Sequence, residues 1–205
     1  MKNSLSHHDT ISRRLKELVR LAYRSGASGA AVISPADIVV EDGLANLCRE
    51  GRCEGYGLST SCPPYVSGPS GFRKLLKSYE YAIVVKIDVP LEILLSGERH
   101  DIMKLLHEMV ADIEQKAVHT GYPGSKAFAG GSCKKIFCHD YEGCSVLMGN
   151  GECRNPRHAR PSMSGFGINV SKLMQSAGWT MSRYNDSTHS DTGSTAPICG
   201  LILIG

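Results

Sequence analysis

Sulfur dominates the chemistry open to this chain. Seven of its eight cysteines fall into two groups, Cys48-x4-Cys53-x8-Cys62 and Cys133-x4-Cys138-x5-Cys144-x8-Cys153, and Cys199 stands alone in an apolar run near the end. A structural cysteine behaves as a small hydrophobe and is normally scattered along buried helices and strands. These seven sit instead in polar stretches rich in Gly, Pro and Ser, where packing gives no reason for them. Loops can bend several thiolates toward one point, and thiolates bind borderline and soft metals strongly. The pattern therefore predicts metal ligation by Cys48, Cys53, Cys62, Cys133, Cys138, Cys144 and Cys153.

Spacing bears on which metal. Zinc sites commonly show tight C-x2-C knuckles, and this chain has none. Cys62 runs directly into Pro63-Pro64, as a Cys-Pro pair closes many ferredoxin-type ligand runs. The expectation leans to iron–sulfur clusters of the [4Fe-4S] type, one or two of them, with zinc as the alternative. The second group supplies four thiolates, enough to cap every iron of a cubane. The first supplies three, and its fourth iron would be capped by Cys199, by a histidine or carboxylate, or left open to polarise a substrate. A single cluster drawing on both groups, or a two-plus-two sharing, stays open on spacing alone.

Secondary candidates surround the cysteines. His139 adjoins Cys138 and His158 follows Cys153, so either could ligate or donate a proton, although a lone histidine is more often a surface residue. His100, His107 and His119 fall on or at the ends of a long helical stretch, where solvent exposure is expected. Lys134, Lys135, Arg154, Arg157 and Arg160 flank the second group. They could offset an anionic cluster or draw an anionic substrate, ordinary solubility being the plain alternative. Tyr56 and Tyr65 would shield the first group. Ser164-Gly165-Phe166-Gly167, ahead of a helix, offers a weak anion-binding signal. No GxGxxG, Walker loop, HExxH, GxSxG or radical-type C-x3-C-x2-C run is present.

The elements that must position these loops follow from periodicity. A helix is expected from Asp9 or Thr10 to Gly26 on the stripe Ile11, Leu15, Leu18, Ala22, followed by a strand at Ala30–Ser34. Ile38–Val40 reads as a short strand or a helix lead-in, and Glu41–Leu47 as two helical turns. Phe72–Tyr79 reads as a helix and Tyr81–Val89, rich in β-branched residues, as a central strand. The strongest helix runs from Arg99 to His119. Lys126–Ala129 reads as a strand, Asn169 caps a helix through Ala177, and Ile198–Ile204 forms the last strand. The sum is an α/β or α+β fold: one domain over 1–205, a layered sheet of four to five strands with flanking helices, and two cysteine-rich loops at 48–71 and 130–167.

Composition limits the setting. With 205 residues and 41% hydrophobic content, the chain can bury a core without covalent staples, so the cysteines are not compensating for small size. A net charge of +3, spread along the chain without interleaved aromatics, argues against nucleic acid as a partner. The N-terminus lacks the apolar core of a signal peptide. No apolar run approaches the about 20 residues that span a bilayer. A cytoplasmic protein with no membrane partner is expected, where thiols stay reduced and favour metal over disulfides.

The segments RCEGYGLSTSCPPY (52–65) and AGGSCKKIFC…CRNPRHARPSMSGFGINV (129–170) resemble a family of bacterial and archaeal predicted metal-binding proteins, domain of unknown function 2284. The C-x2-YG-x4-CPP element matches at Cys53, Tyr56-Gly57 and Cys62-Pro63-Pro64. The GGSC element matches at 130–133, the CR-x-P element at 153–156 and the ARPSM-x3-GI-x-V run at 159–170. The resemblance runs from about Leu44 to the last strand and implies metal binding through the same seven cysteines, while Cys199 is no family-wide ligand. Members often set the middle cysteines of the second group closer than Cys133-x4-Cys138-x5-Cys144 does. The family supplies no reaction. Three functions remain: a redox or electron-transfer protein serving a partner protein, an iron–sulfur enzyme with an open iron acting on a small molecule, and a zinc-stabilised binding module.

Overall fold

A computed structural model describes residues 2–51, 53–180 and 194–205. Arg52, most of the Ser/Thr-rich loop with His189, and the side chains of His7 and His8 lie outside the described residues.

Two apolar runs decide the architecture. β2 (Tyr81–Pro90) and β4 (Thr195–Ile204) pair antiparallel along their whole length, with Ala82 opposite Leu203 and Lys86 opposite Cys199. β1 (Gly29–Ile33) adds to the free side of β2 and β3 (Lys126–Ala129) to the free side of β4, giving the order β1-β2-β4-β3. Every neighbouring pair is antiparallel, so the fold is α+β, and the doubly layered α/β alternative falls away.

Because side chains alternate along a strand, β2 and β4 feed two cores. Ile83, Val85, Ile202 and Ile204 face α1 (Lys2–Arg24) and α5 (Arg99–His119), which bring Leu15, Leu18, Leu106, Met109, Val110 and Ile113. Ala82, Val84, Leu201 and Leu203 face α3 (Gly68–Leu76) and α7 (Val170–Ser176), where Phe72, Phe128 and Phe166 form a ring cluster with centroids 5.1–5.3 Å apart. Burial on both faces is why these two strands read as nearly continuous apolar runs. α2 (Asp42–Glu50), α4 (Leu91–Leu95) and α6 (Cys133–Phe137) complete the helices of the described residues. None of these helices is long and apolar enough to cross a membrane.

Several boundaries differ from the sequence expectation. α1 begins at Lys2, so Asp9 and Thr10 lie inside it rather than at its N-cap; their helix propensity penalty is small enough to be carried there. Ile38–Val40 is not a strand. The chain instead makes a 3-10 turn at Pro35–Asp37, capped by Ser34, and only Val40 bridges to Ile168. α3 starts at Gly68, with Pro69 in its first turn, where a missing N–H costs nothing. α4 and α6, five residues each, are too short to leave a periodic signature. The 163–166 segment is a 3-10 turn packed into the core, and the Asn169 side chain takes the α7 N-terminus by accepting from Lys172 N at 3.0 Å. The cap thus takes one of the N–H groups that an anion at this helix end would use.

α5 is the element that fixes the second cysteine region. His107, expected at the surface, is fully buried. Its Nε2 lies 3.0 Å from the Gly130 carbonyl, and its Nδ1 accepts from Arg160 N at 3.3 Å. That pair of contacts identifies the neutral Nε2–H tautomer. Two turns further on, Glu114 accepts from Arg160 Nε at 2.6 Å and from Ala127 N at 2.7 Å. Both ends of the 130–160 excursion are thereby tied to one rigid helix.

Phe72→Ala should cost about 3–5 kcal/mol in denaturant unfolding, since it empties the centre of the ring cluster. Burial holds the His107 pKa down to about 4, although the Gly130 and His158 backbone groups favour its charged form. The unfolded chain takes up that proton near its ordinary value of about 6.5. Stability is thus fully present above pH ~6.5 and is lost as pH falls toward ~4, by up to roughly 3 kcal/mol. His107→Gln should flatten that dependence in melts taken between those pH values.

Candidate metal centre

Cys48 lies on α2, which runs three residues beyond the expected end at Leu47, and the first cysteine loop leaves that helix at Gly51 and returns at α3. Its turns close on the cysteines themselves: Cys53 N donates to Cys48 O, Tyr56 N to Cys53 O, and Tyr65 N to Cys62 O. The second loop behaves alike, with Cys138 N donating to Lys134 O, Tyr141 N to Cys138 O, and Met148 N to Cys144 O. The two loops are stitched together where Ser162 N donates to Ser61 O at 2.9 Å. Gly55 lies against Ser132 so tightly that a Cβ there would approach the serine Cβ to 2.8 Å. Glycine at 55 is what lets one loop rest on the other.

The sequence groups become two spatial sites. Cys133, Cys138, Cys144 and Cys153 line one small void of about 20 Å³, closed by Ser59, Thr60, Ser61 and Asn155. Cys48, Cys53 and Cys62 line a separate cavity of about 620 Å³. These sites stand back to back. Ser61 and Cys62 are adjacent residues that line different sites, and so are Ser132 and Cys133. Among the described residues, no three Cys, His, Asp or Glu side chains are gathered closely enough to hold one metal ion.

Electrostatics at the sulfurs are set by burial and by donors. Burial pushes the Cys48 thiol up, and the neighbouring Cys53 and Cys62 push it further. Cys62 and Cys133 are likewise raised by burial. The Ser132 and Ser59 hydroxyls beside Cys62, and those of Ser61 and Ser59 beside Cys133, oppose that rise. Ser59 and Ser132 are buried, yet neither hydroxyl completes a well-formed hydrogen bond. Cys144 differs. Burial raises it, but backbone N–H groups of Leu147, Thr60 and Val146, with the Arg154 guanidinium, outweigh burial and lower it. Asn155 serves two sulfurs, donating from its backbone N to Cys153 Sγ and from Nδ2 to Cys138 Sγ, each at 3.4 Å.

Other expected candidates are placed elsewhere. Cys199 packs in the α3/α7 core with its thiol pushed up to about 12 by burial, and it lines neither site. His139 sits beside Asp140 and His158 stacks on Phe137, and neither lines a site. Lys134 turns inward to the Cys138 and Tyr141 carbonyls, both at 2.7 Å. Arg154 donates to Gly143 O and lies 4.1 Å over the Tyr141 ring, and Arg157 lies 3.9 Å from Asp112. With Arg160 bound to Glu114, four of the five cations flanking the second group brace its loop, and only Lys135 reaches the cavity. Tyr56 lines that cavity, whereas Tyr65 is exposed.

Sequence reasoning missed Ser59, Ser61, Ser132 and Asn155. Their signal was adjacency: STSC and GSC place a hydroxyl next to a cysteine, and CRN an amide two residues beyond one. Against a background of loop serines that signal is faint. His107, Glu114 and Arg99, all on α5, gave none.

No curated protein and no solved structure matches the chain. A family model for predicted metal-binding proteins matches residues 31–204, a span that takes in all eight cysteines, both sites and the whole sheet apart from the first two residues of β1. The chain belongs to that family, the predicted metal-binding proteins of domain of unknown function 2284.

Proposed function

We propose that this protein is an iron–sulfur redox protein with two unequal centres, a closed four-cysteine centre that exchanges electrons and a three-cysteine centre that meets a small molecule. The observation that carries the reading is the division of seven cysteines into four around a closed void and three in the wall of an open cavity, set back to back.

The residues present fit such groups. Cys133, Cys138, Cys144 and Cys153 would hold the first, with Asn155 and the backbone around Cys144 donating to their sulfurs. Cys48, Cys53 and Cys62 would hold the second. The unpaired hydroxyls of Ser59 and Ser132 lie where sulfur anions would give them acceptors, which removes an otherwise costly burial. The thiols are spread too widely for one ion, which suits a polynuclear centre, whose irons hold their thiolates farther apart. When bound, an iron–sulfur cluster supplies a one-electron store, and an iron without a protein ligand supplies a Lewis acid. Around it, buried Ile136 and half-buried Pro63 limit water, and the shared wall of Ser59, Cys62, Ser132 and Cys133 keeps the two centres adjacent. A reducing compartment, the cytoplasm, suits thiols in this number. A redox partner protein would deliver or accept the electron.

One observation favours a second reading. The four-cysteine void is small, about 20 Å³, and drawing its four thiols inward onto one ion would make it a structural zinc site.

Protein purified without air should contain iron and acid-labile sulfide in equal amounts, and Cys144→Ser and Cys48→Ser should each remove a different part of both. Zinc without sulfide would reject the iron–sulfur reading. Ser59→Ala, which removes a hydroxyl serving both sites, should loosen iron at both by roughly 10-fold or more in chelator competition.

A further inference from the structure

The larger cavity is built for more than its three thiols. Its volume of about 620 Å³ lies within the usual size of a small-molecule site. Leu94, Met103 and Ile136 give it an apolar wall, with Ile136 buried, while Arg99 and Lys135 stand at its exposed rim. Glu54 is the sole acid among the described residues of the lining, and it sits 3.4 Å from Lys135. Arg99 has no carboxylate partner among the described residues. Arg99 and His100 in the first turn of α5, a helix of 21 residues, and Gly97 just before it line the same rim. The positive end of its dipole therefore points at this space. Ser132, 8% exposed, lines the same cavity beside Cys62, and its hydroxyl completes no well-formed hydrogen bond there.

We propose that this cavity binds a small organic acid, its anionic group held between Arg99 and Lys135 and its apolar body against Leu94, Met103 and Ile136, with the three thiols of Cys48, Cys53 and Cys62 in the same space. A neutral apolar molecule would leave Arg99 without a counter-charge, and a bare inorganic anion would leave the apolar wall wet. Carboxylates and phosphate monoesters share the required chemistry. The proposal names the substrate class for the three-cysteine site proposed above, and in that respect it rests on that reading.

The test is calorimetric titration of air-protected, metal-loaded protein with benzoate, phenyl phosphate, benzamide and inorganic phosphate. Benzoate or phenyl phosphate should bind with Kd below about 1 mM, and benzamide and inorganic phosphate at least about tenfold more weakly. Arg99→Gln with Lys135→Gln should weaken the anion by about tenfold or more, the loss expected from charge-assisted hydrogen bonds, with the melting temperature unchanged. Met103→Trp, which fills the apolar side, should block binding independently of charge. The proposal is overturned if neither anion binds below about 10 mM, if benzamide binds as well as benzoate, or if the double variant binds unchanged. Spectra of the metal centre, recorded during the titration, separate the two readings. Anion binding that perturbs them supports both, and binding that leaves them untouched keeps the organic-acid site while removing the open-iron centre.

Discussion

Several sulfur anions cannot be buried side by side without a cation among them. Each thiolate loses its hydration and repels the next, and the raised thiols of Cys48, Cys62 and Cys133 express both costs. A metal centre answers both at once by replacing protons with positive charge, and the surrounding N–H and O–H groups then find acceptors. The structure around the loops reads as a solution to this constraint. Donors gather at the sulfurs, carboxylates stay away from the closed void, and the nearby cations are spent on carbonyls and rings that hold the loop in shape.

The sheet and its helices supply the rigidity that these loops lack. The cysteine regions have little secondary structure, so their geometry is borrowed from attachments to ordered elements. α5 is the principal one. It grips Gly130 through His107 and Arg160 through Glu114, so the two ends of the second excursion are held against one helix before any metal is considered. The first loop is fixed indirectly, through Ser61 to Ser162 and through Gly55 to Ser132. The first site is therefore held jointly by α2, which carries Cys48, and by the second loop.

Much of this was readable from residue order, for definite reasons. β2 and α5 were legible because burial on both faces, or along one stripe, leaves a strong periodic mark; the bounds Arg99–His119 and Lys126–Ala129 emerge unchanged. The sheet's direction was not legible, since an apolar strand looks alike in parallel and antiparallel company. His107 was misread because a histidine on a helix carries no sign of the two backbone partners that await it from distant segments. The grouping of cysteines four and three survived into space as two linings. That Ser61/Cys62 and Ser132/Cys133 straddle a common wall depends on how two loops cross, which spacing along either one does not encode.

The place of β4 has a consequence for biosynthesis. β4 is the strand that β2 and β3 share, yet it follows both cysteine regions in the chain. On a translating ribosome all seven loop thiols emerge before the sheet can be sealed, when β3 still has no neighbour to pair with. Both cysteine regions are thus synthesised while the sheet is still unfinished. Insertion of the last strand between its two neighbours then completes the framework that holds them.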